Sequence, residues 1–338
     1  MATIQDVARS AGVSTATVSR VLSAPEIVAE ATRARVLEAV STLGYAPNVA
    51  AKTLRTLRTE KILVTVPDIS NPFFSQVIRG VEEAASAAGY SVLLGDTRHE
   101  EAREEQYAGM LRSKEADGLI FLGHRLPETL ADMVATLGPR TPIVNGCEYS
   151  PGLGVSSAHI DNHRAAAEAM EHLYGLGHSA VGVITGPLVS PLSRDRLAGV
   201  EAAAARRGLV GELAVATGDF SLEAGASQAA ALLDRPLRPT AIFCFSDEMA
   251  MGALGAIRAR GLRCPDDVSL VGFDDIRFAR YLDPPLTTMS QPMDRIGYEV
   301  VRLLLDVLSG RAKETQHVTL PHQLVVRGST ASPAGARG

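Results

Sequence analysis

Hydrophobic residues over the first 45 positions recur at helical spacing in three short runs. Ile4, Val7, Ala8 and Ala11 follow i, i+3, i+4, i+7 and stop at Gly12, the pattern of an amphipathic helix opened by Thr3-Ile4-Gln5-Asp6 and ended by glycine. Ser14 caps a second helix, in which Val18, Val21 and Leu22 form the buried stripe while Thr15, Ala16, Thr17, Ser19 and Arg20 stay outside. A third run over 31–43 supplies Val36, Val40 and Leu43 to a three-helix core and ends at Gly44. Two short helices joined by a tight glycine-containing turn predict a helix-turn-helix, whose second helix offers its first residues to the major groove of DNA. Small polar residues and one arginine on that outer face, without i,i+4 Glu–Lys pairs, suit close approach to base edges better than solvation alone. The plain structural alternative is a helical cap or dimerisation bundle.

Beyond residue 60 the period changes. Apolar, strand-length runs at 62–66, 91–94, 118–122 and 142–145 alternate with helical stretches near 74–89, 100–114 and 127–137. A second series of runs, at 180–184, 212–215, 241–245 and 268–273, interleaves with helices near 162–176, 191–207, 221–234 and 247–260. Each series is domain-sized, which predicts two doubly wound parallel α/β lobes with a cleft between them. Ligands in such sheets bind beyond the carboxyl ends of the strands. Those ends carry Asp68, Asn71, Phe73 and Phe74 in the first lobe, followed by Cys147 and Glu148; in the second lobe they carry 187–196, Asp219, Phe220, Ser246, Asp247, Asp274 and Asp275. They describe a polar slot with aromatic walls for a small hydroxylated molecule. Asp274 would accept from a diol, Arg196 would donate to oxygens, and Phe73 and Phe220 would cover a flat face. Taken singly, Asp247 and Asp275 suit helix caps equally well, and Phe74 suits a core.

Composition narrows the field. The 338 residues are 46% hydrophobic and 21% charged, an ordinary globular balance that excludes disorder, collagen and disulfide-stapled miniproteins. The formal net charge of −5 argues at first against nucleic acid. Splitting it reverses the inference: residues 1–60 hold seven basic residues against five acidic, and the remainder 26 against 33. A mildly basic head thus precedes an acidic body, as expected for DNA contact by one end only. Between them, Asn48 to Glu60 has the makings of one or two helical turns, with Lys52, Arg55 and Arg58 for phosphates. Leu54 has no core to enter there, as a minor-groove wedge requires.

Catalysis finds no support. Gly152-Leu153-Gly154-Val155-Ser156-Ser157 lacks the third glycine of a dinucleotide fingerprint, Gly177-His178-Ser179-Ala180-Val181 lacks the last glycine of a nucleophile elbow, and neither HExxH nor a P-loop is present. His159 and His163 straddle a strand-to-helix crossing and read as ordinary histidines. Cys147, Cys244 and Cys264, at wide spacing, read as reduced thiols packed in the core. No catalytic residue, metal site or cofactor is expected. The N-terminus shows no basic stretch followed by an apolar one, and no run is fit to span a membrane, so a cytoplasmic protein is expected. A periplasmic-type solute-binding protein shares the body's predicted architecture, but the helix-turn-helix and the missing signal argue against it.

Residues 1–60 resemble the lac repressor (LacI/GalR) family of bacterial transcription regulators through Ile4-Gln5-Asp6-Val7-Ala8, Gly12-Val13-Ser14, Thr17-Val18-Ser19-Arg20-Val21-Leu22, Gly44-Tyr45, Pro47-Asn48 and the run Ala50 to Leu54. The body resembles the family's sensor domain through Asn71-Pro72-Phe73-Phe74-Ser75, Arg196-Leu197-Ala198-Gly199, Ser246-Asp247, Gly272-Phe273-Asp274-Asp275 and Pro284-Pro285-Leu286-Thr287-Thr288. The resemblance implies an all-α helix-turn-helix DNA-binding domain plus hinge helix, followed by a two-lobed α/β sensor domain like the periplasmic binding proteins, with parallel doubly wound sheets. Its boundaries are 1–46 for the DNA-binding domain, 47–60 for the hinge and 61–338 for the effector and dimerisation domain, with one lobe at about 61–160 and 291–320 and the other at about 161–290 and 321–330.

The family implies DNA contact by Thr3, Ser14, Thr15, Ala16, Thr17, Arg20, Asn48, Ala51, Lys52, Leu54 and Arg55, with Thr15, Ala16 and Arg20 as base readers. It implies effector contact by Asp68, Asn71, Phe73, Phe74, Cys147, Glu148, Arg196, Phe220, Ser246 and Asp274. The implied partners are double-stranded operator DNA, a second copy of the chain and a small-molecule effector. The runs 66–95 and 243–247 look most like nucleoside-responsive members, with purine-responsive members next. Cys147, Ser190 and Leu192 stand where the latter carry an aromatic residue, Arg and Thr, which turns the expectation away from purine bases. A sugar or sugar acid is the alternative effector. The tail from Arg327 lacks leucine heptads, so a homodimer is expected.

Overall fold

The computed structural model describes residues 2–46, 56–150 and 152–333; the sequence-predicted DNA contacts Asn48, Ala51, Lys52, Leu54 and Arg55 lie outside them. Contacts divide the chain into one unit up to Thr59 and a second from Glu60.

In the first unit, α1 (Ile4–Ala11), α2 (Thr15–Ser23) and α3 (Glu30–Leu43) surround Val7, Ala8, Ala11, Val18, Val21, Val36 and Ala39. Thr3 and Asp6 form a reciprocal capping box at the start of α1. Gly12, at φ 64, turns the chain out of α1, and the Ser14 hydroxyl accepts from the Thr17 amide to start α2. One core expectation is corrected: Leu43 is 38% exposed, and Ala39 joins Val36 in the core instead. With 14 residues, α3 outreaches the 8 of α1 and the 9 of α2, so its last turn has little left to pack on.

The second unit contains two six-stranded sheets. β1 (Lys61–Val66), β2 (Ser91–Asp96), β3 (Gly118–Phe121), β4 (Ile143–Gly146), β5 (Ser156–Ile160) and β11 (His317–Leu320) build the first, in the order β11-β5-β4-β3-β1-β2. β6 (Val181–Thr185), β7 (Leu213–Thr217), β8 (Ala241–Cys244), β9 (Ser269–Asp274), β10 (Thr287–Ser290) and β12 (Gln323–Val325) build the second, in the order β12-β10-β9-β8-β6-β7. Every pairing is parallel except β10 with β12. The crossover helices are α4 (Pro72–Ala87), α5 (Glu101–Arg112), α6 (Glu128–Leu137), α7 (Asn162–Gly175), α8 (Pro191–Arg207), α9 (Leu222–Leu233) and α10 (Asp247–Ala259).

The chain leaves the first sheet after β5, returns to it through α11 (Met293–Leu308) and β11, and ends in the second sheet at β12. Return is possible because α11 lies against α4 backbone to backbone: a Cβ at Gly297 would collide with the Val77 carbonyl, and one at Gly80 with the Asp294 carbonyl. Strands β5, β10, β11 and β12 fall outside both apolar series read from the sequence, since Ser156-Ser157, Thr287-Thr288, His317 and Gln323 break the pattern. Their positions come from pairing with neighbours rather than from an apolar run of their own. Among the described residues no helix is long and apolar enough to cross a membrane.

Candidate functional site

In the first unit, Thr15, Ala16 and Arg20 are exposed on α2, and their side chains make no bond to other described residues. The neighbouring hydroxyls are already engaged: Ser14 Oγ lies 2.9 Å from Thr17 Oγ1, and Thr3 Oγ1 lies 2.7 Å from Asp6 Oδ2. Capping therefore fixes where α2 begins, and with it which residues its first turn presents.

In the second unit a cavity of about 600 Å³ opens beyond the carboxyl ends of both sheets, the place that parallel α/β topology favours. All ten residues singled out in the body line it, among them Asp68, Phe74 and Ser246. Local structure explains several. Asn71 caps α4 by accepting from the Phe73 amide at 2.9 Å, and Pro72 occupies the first turn. Phe73 and Phe74 therefore emerge together, edge to face with centroids 5.2 Å apart. Cys147, Phe220 and Asp274 have φ of 70°, 73° and 115°, a region that side-chain-bearing residues adopt at a cost and that clusters at functional sites. The Phe220 ring lies where a Cβ on Gly186 would be, so only glycine fits at 186.

Arg196 is the one fully enclosed cation at the cavity floor among the described residues, 4% exposed. Its Nε donates to Asn162 Oδ1 at 2.8 Å, Nη1 donates to the Phe245 carbonyl, and the guanidinium sits 3.6 Å above the centre of the Phe273 ring. Burial lowers its pKa to about 10, opposed by Asp274 and Glu148. Asp274 Oδ1 accepts from Gln291 Nε2 at 2.7 Å; burial pushes its pKa up to about 7 in spite of Arg196. Glu148 is likewise pushed up to about 7 by burial, against Ser190, whose Oγ donates to Oε1 at 3.0 Å, and against Arg196. Burial raises the Cys147 thiol well above its ordinary range, which makes it a poor nucleophile.

Two participants escaped the sequence reading. Asn162 orients Arg196, and Gln291 holds Asp274; the only sequence signal for Gln291 is its place just after Pro284-Pro285-Leu286-Thr287-Thr288. Asp247 and Asp275 do not cap helices. Asp247 accepts from the Thr288 hydroxyl at 2.6 Å and the Ile276 amide at 2.8 Å, while Asp275 pairs with Arg327 at 2.6 Å. The cap of α10 is Ser246, which accepts from the Met249 amide.

Residues 3–48 match the model of the lacI family of bacterial regulatory proteins, and residues 170–330 match a periplasmic binding protein-like domain. The chain is 42% identical over 330 residues to the HTH-type transcriptional repressor CytR of Escherichia coli K12, covering 97% of this chain and 96% of that one. It belongs to the LacI family of bacterial regulatory proteins. Its function is that of a helix-turn-helix transcriptional regulator, as in CytR and in the DegA regulator of Bacillus subtilis, 37% identical over 331 residues with coverage of 97% and 98%. The structure of a lac repressor dimer bound to operator and the anti-inducer ONPF superposes with a TM-score of 0.86 at 31% identity, covering 98% of this chain and 99% of that one. The relatives matched here are DNA-binding transcriptional regulators.

The floor carboxyls make stability depend on pH. An unfolded glutamate titrates near 4.5 and the folded Glu148 at about 7. The native state thus holds the proton more tightly, and the group's contribution is lost as pH rises through that window. Glu148→Gln is expected to gain thermal stability relative to the parent between pH 4.5 and 7.5. Burial lowers His159 to about 4, which works in the opposite sense in both proteins and cancels in the difference. Parallel melting curves at all pH values would remove Glu148 from this account.

Proposed function

We propose that the protein is a repressor that grips a palindromic operator as a homodimer and is controlled by a nucleoside bound in the cleft between its lobes. The observation that carries the ligand class is a cavity with flat aromatic walls, Phe73 and Phe220, over a floor of Arg196, Asp274 and Glu148. Aromatic faces suit a base, and a carboxylate beside a guanidinium suits ribose hydroxyls. The likeness to CytR over almost the whole chain supports the same choice. On the DNA side, Thr15, Ala16 and Arg20 would contact base edges, with Thr3, Ser14 and Thr17 near phosphates at helix starts. Asn48, Ala51, Lys52 and Arg55 would track the backbone, while Leu54 and its twin pry open the central base step. Ligand binding would change whether the paired hinges can form, a coupling typically worth ~1–3 kcal/mol. The protein would act in the cytoplasm.

A sugar reading is favoured by one observation: the Arg196–Asp274 floor serves any vicinal diol, and a LacI-family regulator from Enterococcus faecium was solved with bound ribose, TM-score 0.72 at 28% identity, covering 80% of this chain and 99% of that one. A thermal-shift screen of nucleosides, pentoses, hexoses and sugar acids separates the two. A ligand at 100 times its dissociation constant stabilises by about 2.7 kcal/mol, and nucleosides are expected to give that shift. A shift from sugars alone would replace the nucleoside by a sugar.

A further inference from the structure

Ser157 and His159, two residues apart on β5, share one face of the first sheet, and His317 of β11 is registered opposite Ser157. Three side chains therefore meet at that end of the sheet. The Ser157 hydroxyl lies 2.9 Å from Nδ1 of His317 and 3.3 Å from Nδ1 of His159. A hydroxyl carries one proton, so it donates to one ring, and the other ring must hold its own proton at Nδ1 or leave that nitrogen unmet. Tyr149 closes over the pair, stacked on His159 with centroids 5.0 Å apart and edge-on to His317 at 4.8 Å. His159 is 8% exposed, whereas His317 is open to solvent, so the pair is reached from the His317 side. Neither ring lines the effector cavity.

On the other side of Ser157, β4 places Asn145 opposite it. Asn145 is 1% exposed, and its Nδ2 donates to the carbonyls of Phe121 and Gly123 on the β3 side. That turns Oδ1 toward β5, and Oδ1 has no partner among the described residues. A hydroxyl shared by two rings thus stands beside a buried acceptor that lacks a donor, and a buried acceptor left unpaired is costly. We propose that His159 and His317 bind one divalent transition-metal ion, of the nickel, copper and zinc class, through their two Nδ1 atoms, with water completing the shell. Imidazole nitrogen suits these ions, and burial lowers the pKa of both rings, which favours the neutral form that ligates. The ion takes the place between the rings that the hydroxyl proton now serves. Ser157 is released to donate to Asn145 Oδ1, and a ring that held its proton at Nδ1 carries it at Nε2 instead, so no proton is lost. Among the described residues no cluster of three His, Cys, Asp or Glu forms here, which makes this a two-imidazole site open to water rather than a closed structural zinc tetrahedron.

The test is titration calorimetry of the untagged full chain with nickel chloride, together with electron paramagnetic resonance of the copper(II) complex. The parent is expected to take up one nickel ion per chain, and its copper spectrum to show coupling to two imidazole nitrogens. His317→Ala is expected to weaken nickel binding by roughly tenfold or more, since even residues that only support a metal ligand are worth that much, and to leave one nitrogen in the copper spectrum. His163→Ala, at an exposed histidine four positions beyond His159, is expected to bind as the parent does. Melting without metal checks that each variant is folded; if His317→Ala does not fold, the nitrogen count in the parent decides by itself. No saturable nickel binding in the parent, equal binding in a folded His317→Ala, or a parent copper spectrum without two nitrogens overturns the site.

Discussion

Arg196→Ala is expected to abolish the response to ligand while leaving unliganded operator binding in place. The side chain is enclosed, and it ties Asn162, the Phe245 carbonyl and the Phe273 ring to the floor of the cavity. It is also the cation that faces Asp274 and Glu148. Removing one partner from a buried charged cluster leaves the others uncompensated, at a cost on the order of 3 kcal/mol or about a hundredfold in affinity. Arg196→Lys keeps the charge but loses the planar fork that serves Asn162 and Phe245 together, so an intermediate loss is expected. Operator binding without ligand, measured by fluorescence anisotropy, checks that each variant is folded. Cytidine and D-ribose are the titrants. Release or tightening of operator equal to that of the parent, in both Arg196→Ala and Asp274→Ala, would mean that the effector binds elsewhere.

Leu54→Ala is expected to weaken operator binding by roughly tenfold or more and to reduce the bend in the bound DNA. Unstacking a base step costs a few kcal/mol and is offset only if an apolar wedge fills the opening; alanine is too short to fill it. Lys52 and Arg55 remain in this variant, so the salt dependence of binding should keep its slope even as affinity falls. Melting of the isolated protein should be unchanged. Equal affinity together with an equal bend, read by gel mobility of circularly permuted operator fragments, would remove the wedge from the mechanism.

The cavity shows how far a linear reading reaches. Knowing that parallel strands deliver their carboxyl ends to one side is enough to collect Phe73, Cys147, Arg196, Phe220 and Asp274 from positions scattered across some two hundred residues, because each follows a strand with a strong apolar run. Gln291 and Asn162 were not collected. Gln291 follows β10, whose Thr-rich segment carries no such run, and Asn162 follows β5, where the chain crosses from the first sheet to the second. Their roles arise from contacts to Asp274 and Arg196 across 17 and 34 positions in sequence, which no local pattern announces. Leu43 failed in the reverse direction. Its spacing from Val36 and Val40 is that of a core residue, but the two short helices end before it.

Local rules were sufficient for the reading head. Caps at Thr3 and Ser14, a left-handed glycine at 12 and helical spacing of valines specify three helices and expose Thr15, Ala16 and Arg20, because all of these interactions span a few residues. The alternation of apolar strands and helices likewise dictated two sheets that are parallel except where β12 pairs with β10. The third dimension alone decided which buried carboxyls share a floor with Arg196, and which of their oxygens lacks a partner among the described residues. Those outcomes depend on segments far apart in the chain meeting at one surface, where burial, rather than residue type, sets the charge and the unmet bonding capacity of each group.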